Sequence, residues 1–185
     1  MLVADIARPA PPGWKVGHVQ HLSGNGYVRE LLPADETIDD WRHLATVQFF
    51  DGADGTAQDV LRRVERATRA LCEVGEWLVL EPSPHDVTYE WWGREGSGGE
   101  PRHEVARLLQ GPDGIHRIAY AERGVSMDPV NREHWLQVLR GARLVSGEAV
   151  GEAGGAAADG APTELAEAPH GGTPVAPGTP RRVRP

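Results

Sequence analysis

The chain has 185 residues, 39% of them hydrophobic, a formal net charge of −8 and a pI near 5.5. That is enough for one ordinary domain plus an appendage, and the acidic balance argues against general affinity for nucleic acid or an anionic membrane, where a basic face should dominate. The single cysteine, Cys72, excludes an intrachain disulfide framework and a multi-cysteine zinc site.

Residues 1–13 form a proline-rich lead without periodicity, expected to be extended. It has no basic n-region and no long apolar h-region, so it does not read as a signal peptide. A cytoplasmic location follows as written. Ala10-Pro-Pro-Gly-Trp14 also looks like the start of a mature exported domain, which keeps an exported or periplasmic form as the alternative.

Val16–Leu22 and Tyr27–Leu32 flank Ser23-Gly-Asn-Gly26, the signature of a β-hairpin. A short helix is expected over Thr37–Leu44. Thr37 would be its N-cap, Asp39 and Asp40 would face the positive end of its dipole, and Ile38, Trp41 and Ala45 would share a face. Ala45 to Phe50 alternates as a strand, with Ala45, Val47 and Phe49 on one side and Thr46, Gln48 and Phe50 on the other.

The main helix should begin after Thr56, which forms a capping pair with Asp59. Ala57, Val60, Leu61, Val64, Ala67 and Leu71 recur on one face. Arg62, Arg63, Arg66 and Arg69 lie on the other, a basic patch best read as a solvated face. Gly75 is the expected stop, and Cys72 reads as a small, partly buried residue in the last turn.

Strands follow at Trp77–Glu81 and Val87–Trp92. A second hairpin joins His103–Gln110 to Ile115–Arg123 through Gly111-Pro-Asp-Gly114. Asp128-Pro129 opens a last helix with Trp135, Val138, Leu139 and Ala142 inward. Residues 147–185 are a Gly/Ala/Pro-rich tail without aromatic residues, which should be disordered. No apolar run is long enough to span a bilayer.

The expected fold is therefore α+β. One domain over 14–146 holds a largely antiparallel sheet of about seven strands, with two longer helices on one face and one short helix at an edge. The run Leu32-Pro-Ala-Asp-Glu-Thr-Ile-Asp-Asp-Trp41, followed by Leu44-Ala-Thr-Val-Gln48, resembles a segment of small uncharacterised bacterial proteins of the Mog1/PsbP-like superfamily. The resemblance implies an antiparallel sheet sandwiched by helices. It also implies a non-catalytic role as a cofactor of a larger assembly, an envelope lipoprotein or an adaptor.

No catalytic motif stands out. Ser83, His85 and Asp86 supply the residue types of a hydrolase triad, but neighbours in one turn do not supply triad geometry. Gly93-Arg-Glu-Gly-Ser-Gly-Gly99 lacks the Gly-Lys-Ser/Thr ending of a phosphate loop. His18 and His21 fall on opposite strand faces, and no histidine pattern calls for a metal.

The leading expectation is a non-enzymatic protein-binding or adaptor module, without cofactor or metal, whose partner is another protein and for which a monomer suffices. Its surface would be an open sheet face carrying Gln48, Phe50, Thr88, Glu90 and Trp92, with Gln48, Glu90 and Trp92 as the binding residues. The alternative is a carrier of a small hydrophobic ligand or lipid, using a cavity between the sheet and the long helix. A third reading is an enzyme with a site assembled from His85, Asp86, Glu90 and His103.

Overall fold

The computed structural model describes residues 2–4, 12–22, 24–52, 55–94 and 100–146. The tail expected over 147–185 lies outside these residues, as does most of the proline-rich lead. Among the described residues nine strands and two helices run in the order β1 (Leu2–Ala4), β2 (Trp14–His21), β3 (Tyr27–Pro33), β4 (His43–Asp51), α1 (Ala57–Leu71), β5 (Glu73–Pro82), β6 (Asp86–Arg94), β7 (Arg102–Gly111), β8 (Gly114–Arg123), α2 (Pro129–Gly141) and β9 (Leu144–Ser146). Seven of the strands make one antiparallel sheet in the order β2-β3-β4-β8-β7-β6-β5, and β1 pairs with β9 in a small ribbon. The fold is α+β, as the sequence indicates.

Both hairpins form where the turn chemistry places them. At the tip of β7–β8, Gly114 has φ +151, and a Cβ there would lie 2.2 Å from the Phe50 carbonyl oxygen, so only glycine fits between the hairpin and β4. Thr56 caps α1 as expected: its hydroxyl accepts from the Asp59 amide at 3.3 Å, and the Asp59 carboxylate accepts from the Thr56 amide at 2.8 Å. Asp128 caps α2, with Pro129 in the first turn.

Three expectations are corrected. The short helix over Thr37–Leu44 does not form. Asp40 makes a single turn back to Thr37, and the buried Glu36 carboxylate accepts the Arg42 and His43 amides at 2.6 and 2.9 Å. Those bonds extend the chain directly into β4, and one turn with two aspartates cannot hold a helix on its own. Trp41 still packs inward, with Ile38, Leu44 and Ala121.

Second, α1 ends at Leu71, not at Gly75. Cys72 is already extended, with φ −125 and ψ 148, and buried, and pairing of Glu73 with Arg94 begins β5 at once.

Third, the two helices take opposite faces. On one, Trp135, Leu136 and Leu139 of α2 pack on Val105, Ile118, Tyr120, Ala45 and Val47; on the other, Ala57, Val60 and Leu61 of α1 pack with Val87, Tyr89, Ala106, Leu108 and Ala119. The reason is written in β8, where every residue from Ile115 to Glu122 is buried. A strand covered on both sides needs a layer on each.

Candidate functional site

The face under α2 is filled, and the charged groups beneath the helix are paired, while Thr88 and His116 are buried there without a hydrogen-bond partner among the described residues. Tyr120 stacks on Trp135 with ring centroids 4.5 Å apart. Arg132 reaches both oxygens of Glu90 at 2.6 Å. His103 accepts the Met127 amide on Nδ1 at 2.9 Å, so its proton sits on Nε2, which donates to Glu90 at 2.7 Å. Burial alone would raise the Glu90 pKa, but the hydrogen bonds from Arg132 and His103 and the charge of Arg132 carry it down to about 2. Glu122 accepts from Tyr120, the Asp128 amide and Asn131. Arg107 clamps the C-terminal end of α2 through the Leu139 carbonyl at 2.7 Å and reaches Asp86 at 2.8 Å. These groups dock a helix on a sheet, and none is left to act as a base.

The face under α1 is different. This helix lies mainly over β5, β6 and β7, and its buried residues cluster with Ile115 and Ala119 of β8 as well. A cleft of about 700 Å³ opens beside it, where the sheet continues toward β8 and β4. Its wall runs along α1 from the buried Val60 through Val64, Ala67 and Thr68 to Leu71. The sequence periodicity puts Val64, Ala67 and Leu71 on the buried stripe, yet Val64 is only partly buried, Ala67 is exposed and Leu71 is 56% exposed. Opposite this wall are Gln48 and Phe50 of β4, with Trp91, Glu104 and Arg117 below.

Arg117 and Glu104 form a buried ion pair at the bottom of the cleft, with side chains 11% and 6% exposed. Arg117 also donates from Nε to the Tyr89 hydroxyl at 2.8 Å, and Glu104 accepts from Trp91 Nε1 at 2.9 Å. Burial works against the Arg117 charge, but the Glu104 carboxylate and the Tyr89 hydroxyl outweigh it and hold the guanidinium more firmly protonated than usual. Burial likewise pushes Tyr89 up to about 12. The long Arg117 side chain lies flat because its neighbours on this face, Ala106, Ala119 and Ala121, are small. At the same end of the cleft, Arg102 sits against the rings of Trp41 and Trp91, 5.8 and 5.9 Å from their centroids.

The residues expected to share one open sheet face do not do so. Gln48 pairs with Arg117 across β4–β8 and faces the cleft under α1. Glu90 and Trp92 face the α2 side, where Glu90 is 2% exposed and fully engaged. Trp92 is half-buried against His103, beside Gly75. Phe50 lines the cleft, and Thr88 is buried on the Glu90 face. The enzyme constellation is split as well. His103 and Glu90 meet, whereas Asp86 pairs with Arg107 and His85 lies by Gln110. Among the described residues no cluster of three or more His, Cys, Asp or Glu side chains could hold a metal ion, and no helix is long and apolar enough to cross a membrane.

Sequence reasoning passed over Arg102, Glu104 and Arg117. The signal was present: Glu104 and Arg117 are charges flanking the apolar runs Val105-Ala106 and Ile118-Ala-Tyr-Ala121, and charges carried into such strands must be paired or serve a site. No protein-family model, no curated protein and no solved structure matches the chain.

Proposed function

We propose that this domain is a non-catalytic binding module that takes a small apolar ligand in the cleft between α1 and the sheet. The observation that carries the reading is the cleft itself. Its volume of about 700 Å³ falls within the range of small-molecule sites, and its wall includes Ala67 and Leu71, the part of the α1 apolar stripe that the sheet leaves exposed. Apolar surface of that kind gains roughly 25 cal/mol for each Å² that a ligand covers. An adaptor surface built on Gln48, Glu90 and Trp92 would need one open sheet face, and the helices occupy opposite faces. We further propose kinship with the Mog1/PsbP-like superfamily, supported by the antiparallel sheet held between helices.

The test is a titration of the native full chain with decanol, followed by amide nitrogen–proton spectra. Shifts concentrated at Gln48, Ala67, Thr68 and Leu71 are expected. Spectra that do not move, or that move mainly at α2, would refute the reading.

A further inference from the structure

From the two kinds of surface lining the cleft, we infer that its ligand is a monoanionic amphiphile, with its carboxylate held by Arg102 and its apolar chain laid along α1. This rests on the cleft being the binding site. The head-group assignment begins with Arg102, whose guanidinium is braced against Trp41 and Trp91, while its Nε is buried without a hydrogen-bond acceptor among the described residues. No carboxylate of the described residues pairs with it. A guanidinium held by its faces on aromatic rings keeps its N–H groups in plane, directed outward, in the fork that matches a carboxylate. A buried polar atom lacking an acceptor calls for one from elsewhere.

Arg117 cannot play this part, because Glu104 and Tyr89 already occupy it. Glu104 also limits the head group. A dianion seated at Arg102 would face that carboxylate across a low-dielectric floor, whereas one negative charge is balanced. The apolar chain has its own track along Val64, Ala67 and Leu71, with Phe50 opposite.

The experiment compares decanoate, decanol and decyltrimethylammonium on the native full chain, by calorimetry below their micellar concentrations. Decanoate is expected to bind about tenfold or more tightly than decanol, and the cation most weakly. Arg102→Gln should bring decanoate down to the level of decanol and leave decanol unchanged. In the native chain, the Arg102 Nε–H resonance should shift with decanoate and not with decanol, a readout that does not depend on the variant folding. Equal affinity for decanoate and decanol would overturn the head-group assignment and leave the cleft standing. Binding of none of the three would overturn both. A preference for decanoate that survives Arg102→Gln, or an unmoved Arg102 resonance, would place the anion elsewhere.

Discussion

Replacing Arg117 by Met should destabilise the fold far more than replacing Arg117 and Glu104 together would suggest. In the native chain Glu104 is 4% exposed and its carboxylate is held by Arg117 and Trp91. Arg117→Met leaves that charge in the interior with only the Trp91 N–H. Breaking a buried pair from one side costs about 3–5 kcal/mol. Glu104→Gln leaves the Arg117 guanidinium without its counter-charge, at a comparable cost. With both charges gone no buried charge is left uncompensated, and the double variant should lose only about 1–2 kcal/mol, from packing and the lost Tyr89 hydrogen bond. The two changes should therefore couple by about 3 kcal/mol or more. Urea unfolding of the four proteins, followed by tryptophan fluorescence, measures this directly because Trp91 touches the pair. Single losses below about 1 kcal/mol that simply add would mean that water from the cleft solvates the pair, and the account of a dry cleft floor would be wrong.

Other outcomes follow from the same geometry. His116 is 1% exposed, stacked on Phe49, with neither ring nitrogen hydrogen-bonded among the described residues, and burial lowers its pKa from 6.5 to about 4. The unfolded chain therefore takes up its proton first, and stability should fall by about 3 kcal/mol as the pH drops from 6.5 to 4. His116→Phe should remove that slope, and a slope that persists would point to another group. Glu90, lowered from 4.5 to about 2, contributes stability that is fully present above pH 4.5 and lost toward pH 2. Glu90→Gln should flatten this acid limb, and an unchanged limb in chemical denaturation would contradict the role given to Arg132 and His103. Thr56→Ala should cost about 1 kcal/mol through loss of the α1 cap, measured as a shift in urea midpoint. Gly114→Ala, with its Cβ driven against the Phe50 carbonyl, should cost more than about 3 kcal/mol or prevent folding; a melting temperature close to that of the native chain would show that the hairpin tip can move away.

Much of this architecture is legible in the chain because local chemistry and tertiary demand agree there. The turns at Gly24-Asn-Gly26 and Gly111-Pro-Asp-Gly114 form with positive φ at Gly24 and Gly114, Thr56 with Asp59 starts α1, and Asp128-Pro129 starts α2. The short helix fails because a long-range partner overrides the local signal: Glu36 captures two amides and hands the chain to the sheet. Which face each helix takes is not a local property. It depends on β8 being buried on both sides, which its run of Ile, Ala and Tyr signals only if the intervening His116 and Arg117 are also accepted as interior. The site was hidden for the same reason. The α1 stripe from Ala57 to Leu71 looks uniform in sequence, but only Ala57, Val60 and Leu61 are buried on the sheet while Ala67 and Leu71 are left exposed, and helical periodicity does not say how far the opposing layer closes on a stripe. Gln48 was picked out and does face the cleft, whereas Arg102, Glu104 and Arg117 read as ordinary strand charges until the opposing layer is known.

The central claim is that the space beside α1 is a binding site, and a cleft-filling variant tests it most directly. Ala67 is exposed and lines the cleft together with Phe50 and Gln48. Ala67→Trp should occupy the cleft and leave the packed half of α1 untouched. Calorimetric titration of decanol into the native chain and into Ala67→Trp should show binding that falls by about tenfold or more in the variant, with the melting temperature retained. Equal affinity in the two proteins, or no heat of binding in either, would contradict the account.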